Sequence, residues 1–279
     1  MADGYLYGWP PGEESFTDFN LQDIRREHGD RVAIRQFTRG QEVMNGADWE
    51  WWFHDGTNGF GMRVQAKKAM RNGSYRLRYR PGKERTGRLQ SLRLIEDAVV
   101  SGCLPFYVLY NHRNWVPYDE FIKPIDCRHG QADQRQMGCT LVSALVVQRV
   151  LDEPGLPASH VREVSVPWNR LVCEDLFRHP VTSTLDALAN EARHLHLQSI
   201  DDHEHTISHL LTKKGRSDGI PEPEQAGDRR SALYRQVARI ADEPVRPLPE
   251  RVIGMIHDDV TEQPDERLAG VVLVDLTEE

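Results

Sequence analysis

Residues 46–56 read GADWEWWFHDG, and the reading of this stretch decides where the rest of the chain must go. Side chains of an extended segment point alternately to opposite faces. Asp48, Glu50 and Trp52 therefore share one face and Trp49, Trp51 and Phe53 the other, which predicts a strand with carboxylates on a single side. HDGTNGFG then reverses the chain. The next run, MRVQAKKAM (62–70), puts Arg63, Gln65 and Lys67 on one face with Val64 and Ala66 opposite. Two such strands, paired as a hairpin, bring an acid, an amide and an amine to one spot.

Those three groups have a joint chemical use. Asp48 offers an anionic oxygen and Gln65 a carbonyl oxygen, ligand types that Mg²⁺ accepts while it keeps several waters and shares phosphate oxygens. Lys67 is placed to orient an attacking water or to hold charge that develops on a phosphoryl group. The expectation is metal-assisted phosphodiester hydrolysis, with Mg²⁺ or Mn²⁺ as the ion. The structural alternative is plain: an aspartate ahead of a strand often only closes a turn, and Gln or Lys on an antiparallel strand is commonly a solvated face.

Asp48, a turn, and then Gln65-Ala66-Lys67 resemble the PD-(D/E)xK nuclease superfamily, and more narrowly the QxK branch to which Mrr-type restriction endonucleases belong. The resemblance covers roughly residues 10–112, with Gln65 where Glu is usual, which removes one negative charge from the metal site. It implies an α/β fold with a restriction-endonuclease-like core, ordered helix, three-stranded meander, helix, strand, and an α+β C-terminal extension packed on it. It also implies an endonuclease acting on DNA in bacterial restriction or antiphage defence. In the superfamily the first helix often supplies a carboxylate to the metal, and Glu14 is the candidate, with Glu50 as the other acid in reach. As a first-turn acid, Glu14 equally suits the helix dipole. Some members use a Gln on the helix after the QxK strand to organise the site, a place that Gln90 occupies. An RNA-directed nuclease effector, a catalytically inactive nucleic-acid-binding module and a complex-forming partner remain as alternatives. A cut in both strands would favour a homodimer, and a defence-system partner protein is a further possibility.

Net charge, −8 over 279 residues, conceals a strong asymmetry. Between Arg63 and Arg93 there are eleven Lys or Arg against one acid, Glu84, whereas residues 241–279 hold eleven acids and three arginines. A basic stretch that begins at the proposed catalytic strand suits a phosphate backbone. Arg63, Lys68, Arg71, Arg76, Arg78 and Arg80 are the expected nucleic-acid contacts.

No apolar run approaches the roughly 20 residues that span a bilayer, and the N-terminal MADGYLYGWPPGEES lacks the features of a secretory signal. A cytoplasmic protein with no membrane partner is expected. Cys103, Cys127, Cys139 and Cys173 form no CxxC pair, so reduced, mostly buried thiols are expected rather than a zinc ribbon or disulfide scaffold.

Taken in order, the chain predicts a nuclease-like core over 1–112 and a mainly helical extension over 113–212. A linker or disordered loop follows over 213–230, and a C-terminal segment over 231–279 whose strands return to the core. Within these, a helix over 13–29 capped by Ser15 or Thr17, a strand over 31–38, a strand in YRLRY (75–79) and a helix from Leu89 to Gly102 are expected. CLPFYVLYN reads as a buried strand, CTLVSALVVQRVL (139–151) as one apolar helix, 182–200 as a helix capped by Thr182 or Ser183, and VIGMIHDD and AGVVLVDL as strands. Trp168 is expected in an apolar pocket. The histidines at 194, 196, 203, 205 and 209, and the Cys127/His129 pair, are weak metal patterns without a helical HxxxH spacing.

Overall fold

The computed structural model describes residues 12–36, 47–80, 89–112, 114–116, 134–153, 155–171, 183–196, 224–257 and 268–277. The pair that the alternation predicts is its centre: β2 (Trp49–His54) runs antiparallel to β3 (Asn58–Lys68), with Glu50 opposite Arg63 and Trp49 opposite Val64. The reversal is tight because Asp55 accepts from the backbone N–H groups of Thr57 and Asn58, and Gly56 takes φ 91°, a value that costs glycine little.

Around this pair lie α1 (Glu13–Glu27), β1 (Val32–Gln36), α2 (Gln90–Ser101), β4 (Leu104–Tyr110), β5 (Cys139–Ser143), α3 (Ala144–Asp152), α4 (His160–Glu163) and β6 (Val166–Pro167). They are followed by α5 (184–196), α6 (Glu224–Asp242), β7 (Arg246–Pro247), α7 (Glu250–Ile256) and β8 (Gly270–Asp275). The strands form one mixed sheet in the order β1-β8-β2-β3-β4-β5-β6, with β7 pairing the start of β3. β8 is parallel to β2 and β4 is parallel to β3, while the other neighbours are antiparallel.

The sheet is buried on both sides, so its alternating residues feed two cores. Trp49, Trp51, Val64, Phe106 and Val108 pack with Phe16 and Leu21 of α1 and with Leu185, Leu188 and Ala192 of α5. Trp52, Tyr107, Leu109, Val142 and Leu273 pack with Leu94 and Ile95 of α2, Val147 of α3, Val237 of α6 and Val252 of α7. The fold is α/β, a mixed open sheet flanked by helices. Among the described residues no helix is long and apolar enough to cross a membrane.

Several expectations need correction. β1 does not join β2 in a meander, because the C-terminal β8 inserts between them, and its apolar GVVLV is what a strand covered on both faces requires. The apolar run 139–151 is not one helix. Ser143 breaks it, its Oγ accepting from Leu145 N, so that Cys139–Ser143 joins the sheet before the helix starts. YRLRY is not a strand and pairs with none among the described residues: Tyr75 and Leu77 are buried anchors of an irregular turn. VIGMI lies in α7, not in a strand, and α6 begins at Glu224, inside the stretch read as a linker. Gly12, without a side-chain bond, stands at the N-cap of α1 in place of Ser15 or Thr17, and Ser183 caps α5 through Asp186 N. The boundary expected at 112/113 falls within the continuous sheet, where β4 pairs β5. Cys127, Cys173, His129, His203, His205 and His209 lie outside the described residues, while Cys103 and Cys139 are free thiols.

Polar groups inside such a sheet must be paired. Glu50 and Arg63 are both essentially inaccessible and meet at 2.5 Å between Oε2 and Nε, a close ion contact without hydrogen-bond alignment. Arg63 also donates to Asp97 Oδ2 at 2.8 Å and Ser101 Oγ at 2.7 Å on α2. Glu50 Oε1 accepts from Trp52 Nε1 and from Arg251 of α7, each at 2.5 Å. One cluster thus ties β2 and β3 to α2 and α7. Removing one member strands the others in a low-dielectric interior, so Arg63→Met is expected to lower stability by about 3–5 kcal/mol. Urea denaturation checks this, and a loss below about 1 kcal/mol would show that the cluster is not a structural tie.

Candidate active site

β3 ends with Gln65, Ala66, Lys67 and Lys68 beside the start of β2, and this end gathers the polar groups. Asp48 stands just ahead of β2, where its N–H bonds Val64 O at 2.9 Å. Its Oδ2 accepts from Ala66 N at 2.9 Å and from Gln65 Nε2 at 2.5 Å. Gln65 Oε1 in turn accepts from Nε2 of Gln90, the first residue of α2, at 2.6 Å. Gln90, Gln65 and Asp48 form a directed chain in which each amide donates to the next acceptor. This fixes the face that Gln65 presents, because its N–H is drawn towards the carboxylate.

Lys67 is only 5% exposed and follows Gln65 on the same face. Its Nζ lies 3.6 Å from Oε2 of Glu13 and 5.8 Å from the centroid of the Tyr79 ring. Glu13 Oε1 also accepts from Lys68 N at 3.2 Å. The N-terminus of α1 therefore does reach the site, but through Glu13, whereas Glu14 is exposed on the next position of the turn. One residue of helical register, about 100°, separates the two.

Tyr107 pairs with Gln65 across β3 and β4 and is wholly buried, and among the described residues its hydroxyl has no hydrogen-bond partner. Burial raises the Tyr107 phenol, and the nearby Asp48 and Glu13 carboxylates raise it further, so it stays protonated as a donor. Gln90 Oε1 is likewise buried without a partner among the described residues. A donor and an acceptor thus remain unmatched at the cluster, where an unmet buried polar group costs roughly 1–3 kcal/mol.

Of the residues expected at the site, Asp48, Gln65, Lys67 and Gln90 come together. Glu50 does not: it belongs to the Arg63 cluster described above and has no oxygen to spare for a metal. Arg63 for the same reason cannot grip a phosphate backbone. Arg71, Arg76, Arg78 and Arg80 are exposed after the end of β3, and Lys68 is half-buried there. His196 is buried against Phe106, with its Nδ1 2.8 Å from Ser143 Oγ, and burial lowers it to about 3, so it is a neutral core residue rather than a metal ligand. Trp168 packs edge-on to Trp51 at 5.1 Å beside a mainly apolar cavity of about 580 Å³ on the other side of the sheet. Glu13 and Tyr107 were missed by sequence reasoning. The first needs the rotation of α1 about its axis on the sheet, and the second needs the β3/β4 register.

Among the described residues no group of three or more His, Cys, Asp or Glu gathers as a metal site. The acids at the cluster are Asp48 and Glu13, so a hard cation there would depend on them, on the remaining lone pair of the Gln65 carbonyl and on water. That donor set, all oxygen and sparse, fits a hydrated Mg²⁺ or Mn²⁺ and not a soft metal.

The family model of DUF6615, a family of unknown function, matches residues 2–275. The chain belongs to this family. No curated protein and no solved structure matches it. For a DUF6615 member the chemistry must accordingly be argued from the side chains.

The electrostatics of Asp48 are the main lead. Burial pushes its carboxyl up to about 6, against the opposing pull of Lys67 and the bonds from Ala66 and Gln65. Keeping it ionised at neutral pH costs on the order of 3 kcal/mol. Because the folded value lies above the unfolded 3.8, the folded state retains a proton that the unfolded state loses between about pH 4 and 6. Stability therefore falls as pH rises through that window. Asp48→Asn keeps an oxygen for the two donors and removes the charge. It is expected to melt on the order of 5 °C above the parent at pH 8, with the gap closing below about pH 4. A gap that is constant with pH, or of the opposite sign, would falsify this account of Asp48.

Proposed function

We propose that the chain is a metal-dependent endonuclease that hydrolyses phosphodiester bonds of DNA through the Asp48–Gln65–Lys67 site. The observation that carries the reading is the convergence of a desolvated carboxylate, an oriented carboxamide and a sequestered ammonium at one strand end. A structural role alone gives no reason to hold the Asp48 carboxylate out of water at a cost to stability, whereas catalytic sites commonly carry such a perturbed group. The resemblance to the QxK branch points the same way. The succession α1, β1, β2, β3, α2, β4 is compatible with a restriction-endonuclease-like core into which β8 has been inserted.

Asp48 and the Gln65 carbonyl, with Glu13, would hold Mg²⁺ or Mn²⁺. The ion when bound supplies positive charge to the phosphoryl oxygens and lowers the pKa of water. Gln90 keeps the Gln65 amide from rotating, which presets the oxygen that Gln65 offers. Lys67, on the same face, places a cation where charge develops on the phosphoryl group, a contribution worth most in a site closed to water. Its contact with Glu13 restrains the ammonium until an anionic substrate competes for it. The exposed arginines after β3 hold the backbone by ion pairing, and that part of the affinity falls with salt. The resemblance further suggests restriction or antiphage defence as the setting.

Cleavage of plasmid and oligonucleotide substrates with Mg²⁺ or Mn²⁺ tests this reading. The parent is expected to cut, and folded Asp48→Ala and Lys67→Ala variants are expected to lose at least ~100-fold in rate. Equal cutting by parent and variants would place the activity elsewhere.

A further inference from the structure

The segment that leads from β3 to α2 holds an aromatic ring where packing does not ask for one. In YRLRY, Tyr75 and Leu77 are buried at 7% and 4%, and Arg76 and Arg78 face solvent. Continued alternation would turn Tyr79 inward, but the turn at residues 77–78 brings it out, and it stays 51% exposed. It is not a loose residue. The backbone carbonyl of Tyr79 accepts from Gln90 N at 3.0 Å, so the main chain that carries the ring is tied to the start of the helix that also orients Gln65. Lys67 Nζ lies 5.8 Å from the ring centroid, which places the ring at the rim of the candidate site.

Its surroundings separate it from an ordinary surface aromatic. Phe19 on α1 is as exposed, at 52%, yet its chain neighbours are Asp18 and Asn20. Tyr79 is flanked by Arg78 and Arg80 with Arg76 and Arg71 close in sequence, and all four are exposed. Exposed aromatic faces interleaved with arginines are the chemistry of single-stranded nucleic-acid surfaces: the arginines track the phosphates while the ring takes a base face. A base within a duplex is already stacked on both sides and has no face to offer.

We propose that Tyr79 is a stacking platform for an unpaired base beside the scissile phosphate, so that the substrate of this site is single-stranded nucleic acid or a strand opened at the cut. The inference rests on the nuclease reading of the Asp48 site and adds the class of substrate to it. Tyr79 contacts the substrate and takes no part in the bond-breaking step.

The test is binding, kept separate from cleavage by EDTA. Fluorescence anisotropy would be measured for the full chain and its Tyr79→Phe and Tyr79→Ala variants. The probes are labelled DNA and RNA single strands of about 16 nucleotides, and the DNA duplex of the same sequence. The parent is expected to bind a single strand, Tyr79→Phe to match it, and Tyr79→Ala to weaken about tenfold on the single strand while changing less than about twofold on the duplex. Relative affinity for the DNA and RNA strands reports which backbone the arginines prefer. Parent affinity retained by Tyr79→Ala, or lost equally on single strand and duplex, overturns the stacking role and leaves the nuclease reading standing. A parent that binds none of the probes overturns both.

Discussion

The rest of the structure depends on a charge pair that has no access to water. Glu50 and Arg63 face each other across the two central strands, and neither can be left alone in that interior. Arg63 meets the requirement by reaching Asp97 and Ser101 near the end of α2, and Glu50 by reaching Trp52 and Arg251. The ion pair therefore sets where two helices lie on the sheet, which apolar packing of Leu94 and Ile95 would specify less sharply.

The same helix carries the consequence to the candidate site. α2 is pinned to β3 at both ends, through Arg63 at its C-terminal turn and through Gln90 on Gln65 at its first residue. With α2 so held, Gln90 leaves Gln65 one orientation, and Gln65 directs its N–H at Asp48. An amide rather than a carboxylate at position 65 fits this arrangement, since only an amide can accept from one neighbour and donate to another. It also lowers the negative charge around Asp48, whose burial already opposes ionisation. The site holds its groups in position at the expense of stability, a trade expected where pre-organisation serves chemistry.

Much of this was legible in the sequence, and what was not has specific physical reasons. Period-two alternation located the faces of β2 and β3, and helical spacing with Gly102 located α2, because both signals are local. The insertion of β8 was hidden, since a buried apolar strand fits equally well at several places in a sheet. Glu50 and Arg63 were read as functional because opposite charges on a strand face look alike whether the face is wet or covered. The Trp49–Phe53 run was the hint that both faces are covered. Glu14 was named rather than Glu13 because two adjacent first-turn acids look alike in sequence until the rotation of α1 on the sheet shows which one faces Lys67. Tyr107 carried no signal at all until cross-strand register placed it next to Gln65.

In the proposed function Asp48, Gln65 and Glu13 hold one divalent cation on oxygen ligands. A Mn²⁺ titration followed by electron paramagnetic resonance tests it directly, without need of a substrate. One Mn²⁺ per chain, displaced by Mg²⁺ and lost in both Asp48→Asn and Glu13→Gln, is the predicted result. Absence of bound Mn²⁺ in the parent, or binding that survives both substitutions, would contradict the account.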